Sequence, residues 1–137
     1  MYQKVILAGY LGGDPEMRYF PDGTAVTNFS MATSKRWTDR GTGEQKEETT
    51  WFRISVFGSQ AEACNQYLSK GSQAMVEGEL KPDPQTGAPR LWTRQDGTVG
   101  VSFEVRASRV VFMGRSGGNV DDDAHAAAIE DEDAIPF

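Results

Sequence analysis

The 137-residue sequence has one cysteine, one histidine and no apolar run approaching the length of a bilayer span. Each scarcity removes a class of function. The single Cys64 excludes an internal disulfide and a multi-cysteine zinc site. Its expected role is a small buried apolar residue in a reducing cytosol. The single histidine, His125, sits in a polar stretch far along the chain, where a solvated residue is expected. The run Asp121 to Asp123 could attract Mg²⁺ loosely, but it lacks the fixed geometry that a catalytic metal needs. No phosphate-cradling loop of the G-x-x-x-x-G-K type is present. An enzyme, a cofactor and a metal site are therefore not expected. The opening "MYQKVILAGYLGG" has one cation before a short apolar run bounded by glycines, which reads as a strand and not as a signal peptide. Neither a membrane nor export is expected, and the reading is cytoplasmic.

Positive charge is absent from the last stretch. Residues 1–115 hold all 14 Lys and Arg against 13 acids, a body of +1. Residues 116–137 hold seven acids and no Lys or Arg, a tail of −7. The net −6 is thus a near-neutral domain, residues 1–115, carrying an anionic appendage, residues 116–137. The appendage has little to bury before its tip, so disorder is expected there. Its last eight residues, "EDEDAIPF", finish on exposed aliphatic and aromatic groups, which an acidic solubilising tail does not need.

Periodicity gives the elements. "QKVILAGYLG" reads as a first strand and "EMRYF" as a short extended piece. "PDG" reads as a turn, since Pro presets φ and Gly accepts positive φ. "AVTNFSMATSKRW" alternates as a second long strand, and Thr38 to Glu48 reads as a polar, mobile hairpin loop. "TTWFRISVFG" is the clearest strand. Phe52, Ile54 and Val56 fall on one face, and Trp51, Arg53, Ser55 and Phe57 on the other. "SQAEACNQYLSKG" is the one convincing helix, with a Ser59–Glu62 capping box, a stripe of Ala61, Cys64 and Leu68, Lys70 in the last turn and Gly71 as its stop. "SQAMVEGEL" and "VSFEVRASRVVFMG" read as the last two strands, separated by a long loop or protruding hairpin. One helix between the third and fourth strands of a turn-rich chain predicts an all-β fold with one helix: a five-stranded OB-fold barrel plus a disordered acidic C-terminal tail.

The third of these strands has a core face and a second face that is too aromatic for solvent. Either a polypeptide or loop covers Trp51 and Phe57, or they form a platform on which unpaired bases stack while Arg53 meets phosphate. The other two tryptophans also stand beside cations. Trp37 follows Lys35 and Arg36, with Arg40 just beyond, and Trp92 lies between Arg90 and Arg94. Cations for a backbone and planes for bases are what a single-strand groove requires.

The stretches "KVILAGYLGGDPEMRYFPDG", "NFSMATSKRWTDRGTGEQKEETTWFRISVFG", "AEACNQYLSKGSQAMVEGEL" and the terminal "DEDAIPF" make the chain resemble the bacterial single-stranded DNA-binding protein family over residues 2–80 and at the tail tip. The resemblance implies a homotetrameric, non-enzymatic protein associated with the nucleoid. It would coat single-stranded DNA during replication, recombination and repair. It implies stacking by Trp37, Trp51, Phe57 and Trp92, and backbone contacts by Arg18, Arg40, Arg53 and Lys70. Lys35, Arg36 and Arg94 complete the expected DNA-binding set. It also implies that Asp131, Glu132, Asp133, Ile135, Pro136 and Phe137 dock on genome-maintenance proteins. Three departures stand out. Residues 81–91 look like extra length ahead of Trp92, Phe52 stands where many members carry His near subunit contacts, and the linker from Ser116 to about Ile129 is short. Two other readings of the residues remain: an OB module that prefers RNA, and a protein-interaction OB domain whose aromatics a polypeptide covers.

Overall fold

The structure, a computed structural model, describes residues 1–115. Its elements are β1 (Val5–Leu11), β2 (Glu16–Tyr19), β3 (Ala25–Thr38), β4 (Gln45–Phe57), α1 (Ser59–Tyr67), β5 (Ser72–Leu80), β6 (Arg90–Thr93) and β7 (Val99–Arg115). Five strands close a barrel in the order β1-β5-β7-β4-β3, and β3 returns to β1 at Tyr10–Ala32 and Leu11–Met31. Every pairing in the ring is antiparallel except β4 with β7. β2 extends the sheet beyond β3, and β6 folds back on the start of β7. This is the five-stranded OB-fold barrel with one helix that the sequence predicts.

Alternation builds the core. Leu7, Leu11, Phe29, Met31, Ile54, Val56, Ala74, Val76 and Val105 point inward, and Cys64 and Leu68 close one end. Met31, Ile54, Val76 and Val105 are fully buried, and burial of each such side chain stabilises by roughly 1.5–3 kcal/mol. α1 is pinned to the barrel by polar groups. The buried Thr27 hydroxyl donates to the Ala61 carbonyl at 2.6 Å. Gln60 donates to the Ser108 carbonyl and accepts from the Val110 amide.

The structure corrects three local expectations. There is no Ser59–Glu62 capping box. Gly58, at φ 77°, is the N-cap, Ser59 is already helical, and no side chain caps the helix. Glu62 instead receives the Tyr19 hydroxyl at 3.5 Å. The helix stops at Tyr67 with extended Leu68 as C-cap, so Lys70 lies beyond its last turn, and Gly71 (φ 87°) serves the turn into β5. The polar hairpin loop is also shorter than expected. Gln45 to Glu48 pair in unbroken register with Thr38 to Lys35, so a ladder of polar residues continues past the barrel, and only residues 39–44 connect. Between β5 and β7 the choice falls on a protruding hairpin. The tail 116–137, with its expected docking residues, lies outside the described residues.

Candidate nucleic-acid interface

Register decides which side chains share a face. Along β4, Trp51, Arg53, Ser55 and Phe57 alternate with the inward Phe52, Ile54 and Val56. Partners across the ladder point the same way. Arg53 therefore stands between Ser30 of β3 and Glu104 of β7, and Ser55 between Asn28 and Arg106. The Ser55 hydroxyl donates to Asn28 Oδ1 at 2.9 Å, so the floor between the cations is polar and satisfied.

At one end of this face Trp51 is 55% exposed, and its ring rests on Gly12. A β-carbon on Gly12 would lie 2.5 Å from Trp51 Cζ3. At the other end Phe57 carries two neighbours. The Phe20 ring is nearly parallel, 14° between planes and 6.2 Å between centroids. The Arg106 guanidinium lies 4.9 Å from the ring centroid, within cation–π range.

The β6–β7 hairpin adds a wall. Arg90 pairs with Ser102 and Trp92 with Gly100, so both share the face of Glu104. Trp92 Nε1 donates to Ser102 Oγ at 2.9 Å, and the Arg94 guanidinium stacks 4.7 Å from its ring centroid. Arg94 also donates to Thr98 Oγ1 and the Val99 carbonyl. Gly100 gives the indole room, since a β-carbon there would sit 2.6 Å from the ring. Asp96 closes the turn by accepting from the Thr98 hydroxyl and amide, which holds its carboxyl below the usual carboxylate value. Arg53, Arg90, Trp92, Ser102 and Glu104 together line an open cleft of about 360 Å³.

The structure thus gathers Trp51, Arg53, Phe57, Trp92 and Arg94 on one continuous surface. Arg18 joins it at the Phe57 end, because Arg18 pairs with Val26 and Val26 with Phe57. Trp37 and Lys35 do not join it by register. They share the parity of Met31 and so stand on the opposite face of the β3–β4 hairpin from Trp51. Arg36 has the parity of Trp51 but pairs with Glu47 at 3.8 Å. Arg40 lies in the connecting turn, and the Lys70 amide donates to Asp14 near the end of β1. Sequence reading missed Phe20, Arg106 and Glu104. The alternation Ser102, Glu104, Arg106 against Phe103, Val105, Ala107 was available as a signal for the last two, whereas Phe20 meets Phe57 only through the turn at Pro21–Gly23.

Charge is unevenly spread over the two hairpins. On the β3–β4 hairpin Lys35, Arg36, Arg40 and Lys46 are balanced by Asp39, Glu44, Glu47 and Glu48, with ion pairs Arg36–Glu47 and Lys46–Glu44. Such exposed pairs are weak, about 0–1 kcal/mol, and yield to a phosphate. The β6–β7 hairpin and the β4 strand beside it carry Arg53, Arg90, Arg94 and Arg106 against Glu104 and Asp96.

The model of the Single-strand binding protein family matches residues 2–113. Among solved structures, a Plasmodium falciparum SSB in complex with ssDNA is similar to this chain. It is 29% identical with a TM-score of 0.67, and the match covers 82% of this chain and 96% of that one.

Proposed function

The chain belongs to the single-strand binding protein family, and from that premise we propose that it binds single-stranded DNA along the surface running from Trp51 to Phe57 and across to Trp92. One observation carries the reading. Trp51 and Trp92 stay about half exposed although the barrel has a complete core without them; the Arg94 guanidinium stacks on Trp92, and Arg53 stands two residues from Trp51 on the same face of β4. Stacked bases would cover the rings, each stack contributing roughly 1–3 kcal/mol regardless of base. Arg53, Arg90 and Arg18 would meet the phosphates, and Arg106 would be released from Phe57 or would stack beside an incoming base. Lys35, Trp37 and Arg40 would serve a strand that wraps the β3–β4 hairpin.

Within the same proposal the protein acts by binding in the cytoplasm, on the nucleoid, during replication, recombination and repair. The segment Asp131–Phe137 would recruit partner proteins, its acids meeting basic side chains and Ile135 and Phe137 entering an apolar pocket. Homotetramer assembly is supported by β1, which meets β3 only at Tyr10 and Leu11. Beyond them a cleft of about 290 Å³ opens between the strands, lined by Ile6, Leu7, Thr33 and Lys35, with Ile6 half exposed. An uncovered edge of this kind favours symmetric closure, and a monomer at micromolar concentration in sedimentation equilibrium would contradict it.

The experiment is a competition assay. Labelled oligo-dT bound to the protein should be displaced by unlabelled single-stranded DNA and far less by a duplex. Equal displacement by duplex would overturn the proposal. Stronger displacement by the matching RNA would reassign the groove to RNA, and no binding of any nucleic acid would favour a polypeptide as the cover of the aromatic surface.

A further inference from the structure

Phe20 stands at the Phe57 end of the surface, just beyond β2, with 44% of its area exposed. Its amide donates to the Thr24 carbonyl at 2.9 Å, one step past the Tyr19–Ala25 pair, so the β2–β3 ladder runs on through it. Alternation then gives Phe20 the face of Arg18 and turns Tyr19 the other way, where its hydroxyl reaches Glu62 of α1 at 3.5 Å. The turn that follows is tightly held. The Gly23 amide donates to the Phe20 carbonyl at 2.9 Å, Gly23 takes φ 90°, and the Asp22 carboxylate accepts the Thr24 amide at 2.9 Å. Both the amide and the carbonyl of Phe20 are thus fixed, and the ring is presented from a rigid position.

The two neighbours of Phe57 reach it from opposite flanks of β4, Phe20 from the β2–β3 side and Arg106 from β7. A base approaching Phe57 from the β7 flank meets the Arg106 guanidinium first. Phe20 carries no such cover, and its one ring contact among the described residues is with Phe57. We propose that Phe20 is a further nucleobase-binding residue, which stacks a base of the single strand on the ring face turned away from Phe57. Phe20 lies outside the core cluster, so the barrel does not require an aromatic ring there. Phe57, nearly parallel behind it, holds the plane in place before a base arrives, which lowers the ordering cost of stacking. Arg18, exposed two residues earlier on the same face, supplies a cation for the adjoining phosphate. Every base has a π-face, so Phe20 lengthens the surface without choosing among bases. The competing role is a prop that merely fills space against Phe57. A prop needs bulk, whereas a stack needs a plane.

This inference rests on the single-strand reading of the surface, and one experiment separates the two. Affinities are measured at low salt for oligo-dT and for an abasic deoxyribose-phosphate oligomer of the same length. The proteins are wild type, Phe20→Ala, Phe20→Leu and Phe20→Tyr. Phe20→Ala and Phe20→Leu should both weaken oligo-dT binding on the order of tenfold, within the range of one lost stack. Phe20→Tyr, which keeps the plane, should bind oligo-dT as wild type does. None of the three should alter affinity for the abasic oligomer, and the melting temperatures of the Leu and Tyr variants should match that of wild type. Wild-type affinity for oligo-dT in Phe20→Leu, with loss in Phe20→Ala alone, would identify a prop and overturn the proposal. Equal losses on the oligo-dT and abasic oligomers would also overturn it, because the effect would then lie in the backbone contacts. Either result leaves the single-strand reading standing, since wild type still binds oligo-dT. Failure of wild type to bind oligo-dT overturns both.

Discussion

The Trp51 ring lies on the backbone of Gly12, so close that a β-carbon at Gly12 would fall 2.5 Å from Cζ3 and 2.9 Å from Cη2. The turn after β1 therefore fixes the orientation of the most exposed aromatic side chain on β4. Gly12→Ala should force the indole to rotate, because a 2.5 Å contact cannot be held and the half-exposed ring is the part free to move. Affinity for oligo-dT should fall several-fold, with the melting temperature little changed, since Trp51 contributes nothing to the core. Unchanged affinity in Gly12→Ala would show that the orientation of Trp51 is irrelevant to binding.

Salt should reveal which cations count. Each phosphate contact on a single strand releases about 0.7 counterion, so log affinity falls with log salt. Arg53→Gln removes a cation that stands between Ser30 and Glu104 in the middle of the surface. It should weaken oligo-dT binding and flatten the salt dependence by about 0.7 in slope. Lys46→Gln, at the distal hairpin and paired with Glu44 at 3.4 Å, should change the slope little. Equal effects of the two substitutions would contradict the placement of the groove.

Burial pushes the Cys64 thiol up from 9.0 to about 11. The folded state thus holds the proton more tightly than the unfolded chain. The stability linked to this group is fully present below about pH 9 and is lost as pH rises through about 11. Wild type should lose stability relative to Cys64→Ala across that window in urea denaturation at stepped pH. Native protein at pH 8 should also resist alkylation that the unfolded chain undergoes rapidly. Alkylation of the native thiol at the unfolded rate would contradict its burial.

Much of this was legible in the sequence, for a physical reason. Strand alternation is strict, so "TTWFRISVFG" places Ile54 and Val56 inside and Trp51 and Arg53 outside without any knowledge of partners. The single helix between the third and fourth barrel strands predicted the topology, because few folds accommodate it. What failed was local chemistry that depends on a neighbour. Ser59 and Glu62 have capping-box spacing, but Gly58 turns the chain first and Tyr19 takes the Glu62 carboxylate. Grouping Trp37 with Trp51 followed composition. The continuous register from Met31–Phe52 to Trp37–Lys46 sets them on opposite faces of the hairpin. The face of Glu104 was readable from alternation, but its burial was not, because that depends on strands β4 and β6 coming to lie beside β7.

Removing residues 130–137 should leave the barrel intact, since its closure uses residues between Val5 and Arg115 only. Affinity for oligo-dT should stay equal or rise slightly, mostly at low salt, because a competing polyanion is gone. Capture of replication or repair proteins from a cytosolic extract should be lost, and removing Phe137 alone should account for most of that loss, as single aromatic anchors dominate small interfaces. Identical capture by full-length and shortened protein would return the segment to solvated filler.

Bases that stack on Trp51 and Trp92 must alter indole emission, so intrinsic tryptophan fluorescence during titration with oligo-dT is the most direct test. Strong quenching that saturates is expected. Trp51→Phe should remove part of the quenching while keeping most of the affinity, and Trp51→Ala should cost roughly 1–3 kcal/mol of binding without unfolding the protein. Binding that leaves the fluorescence of every tryptophan unchanged, or a Trp51→Ala protein that unfolds yet binds as tightly as wild type, would contradict stacking on these rings.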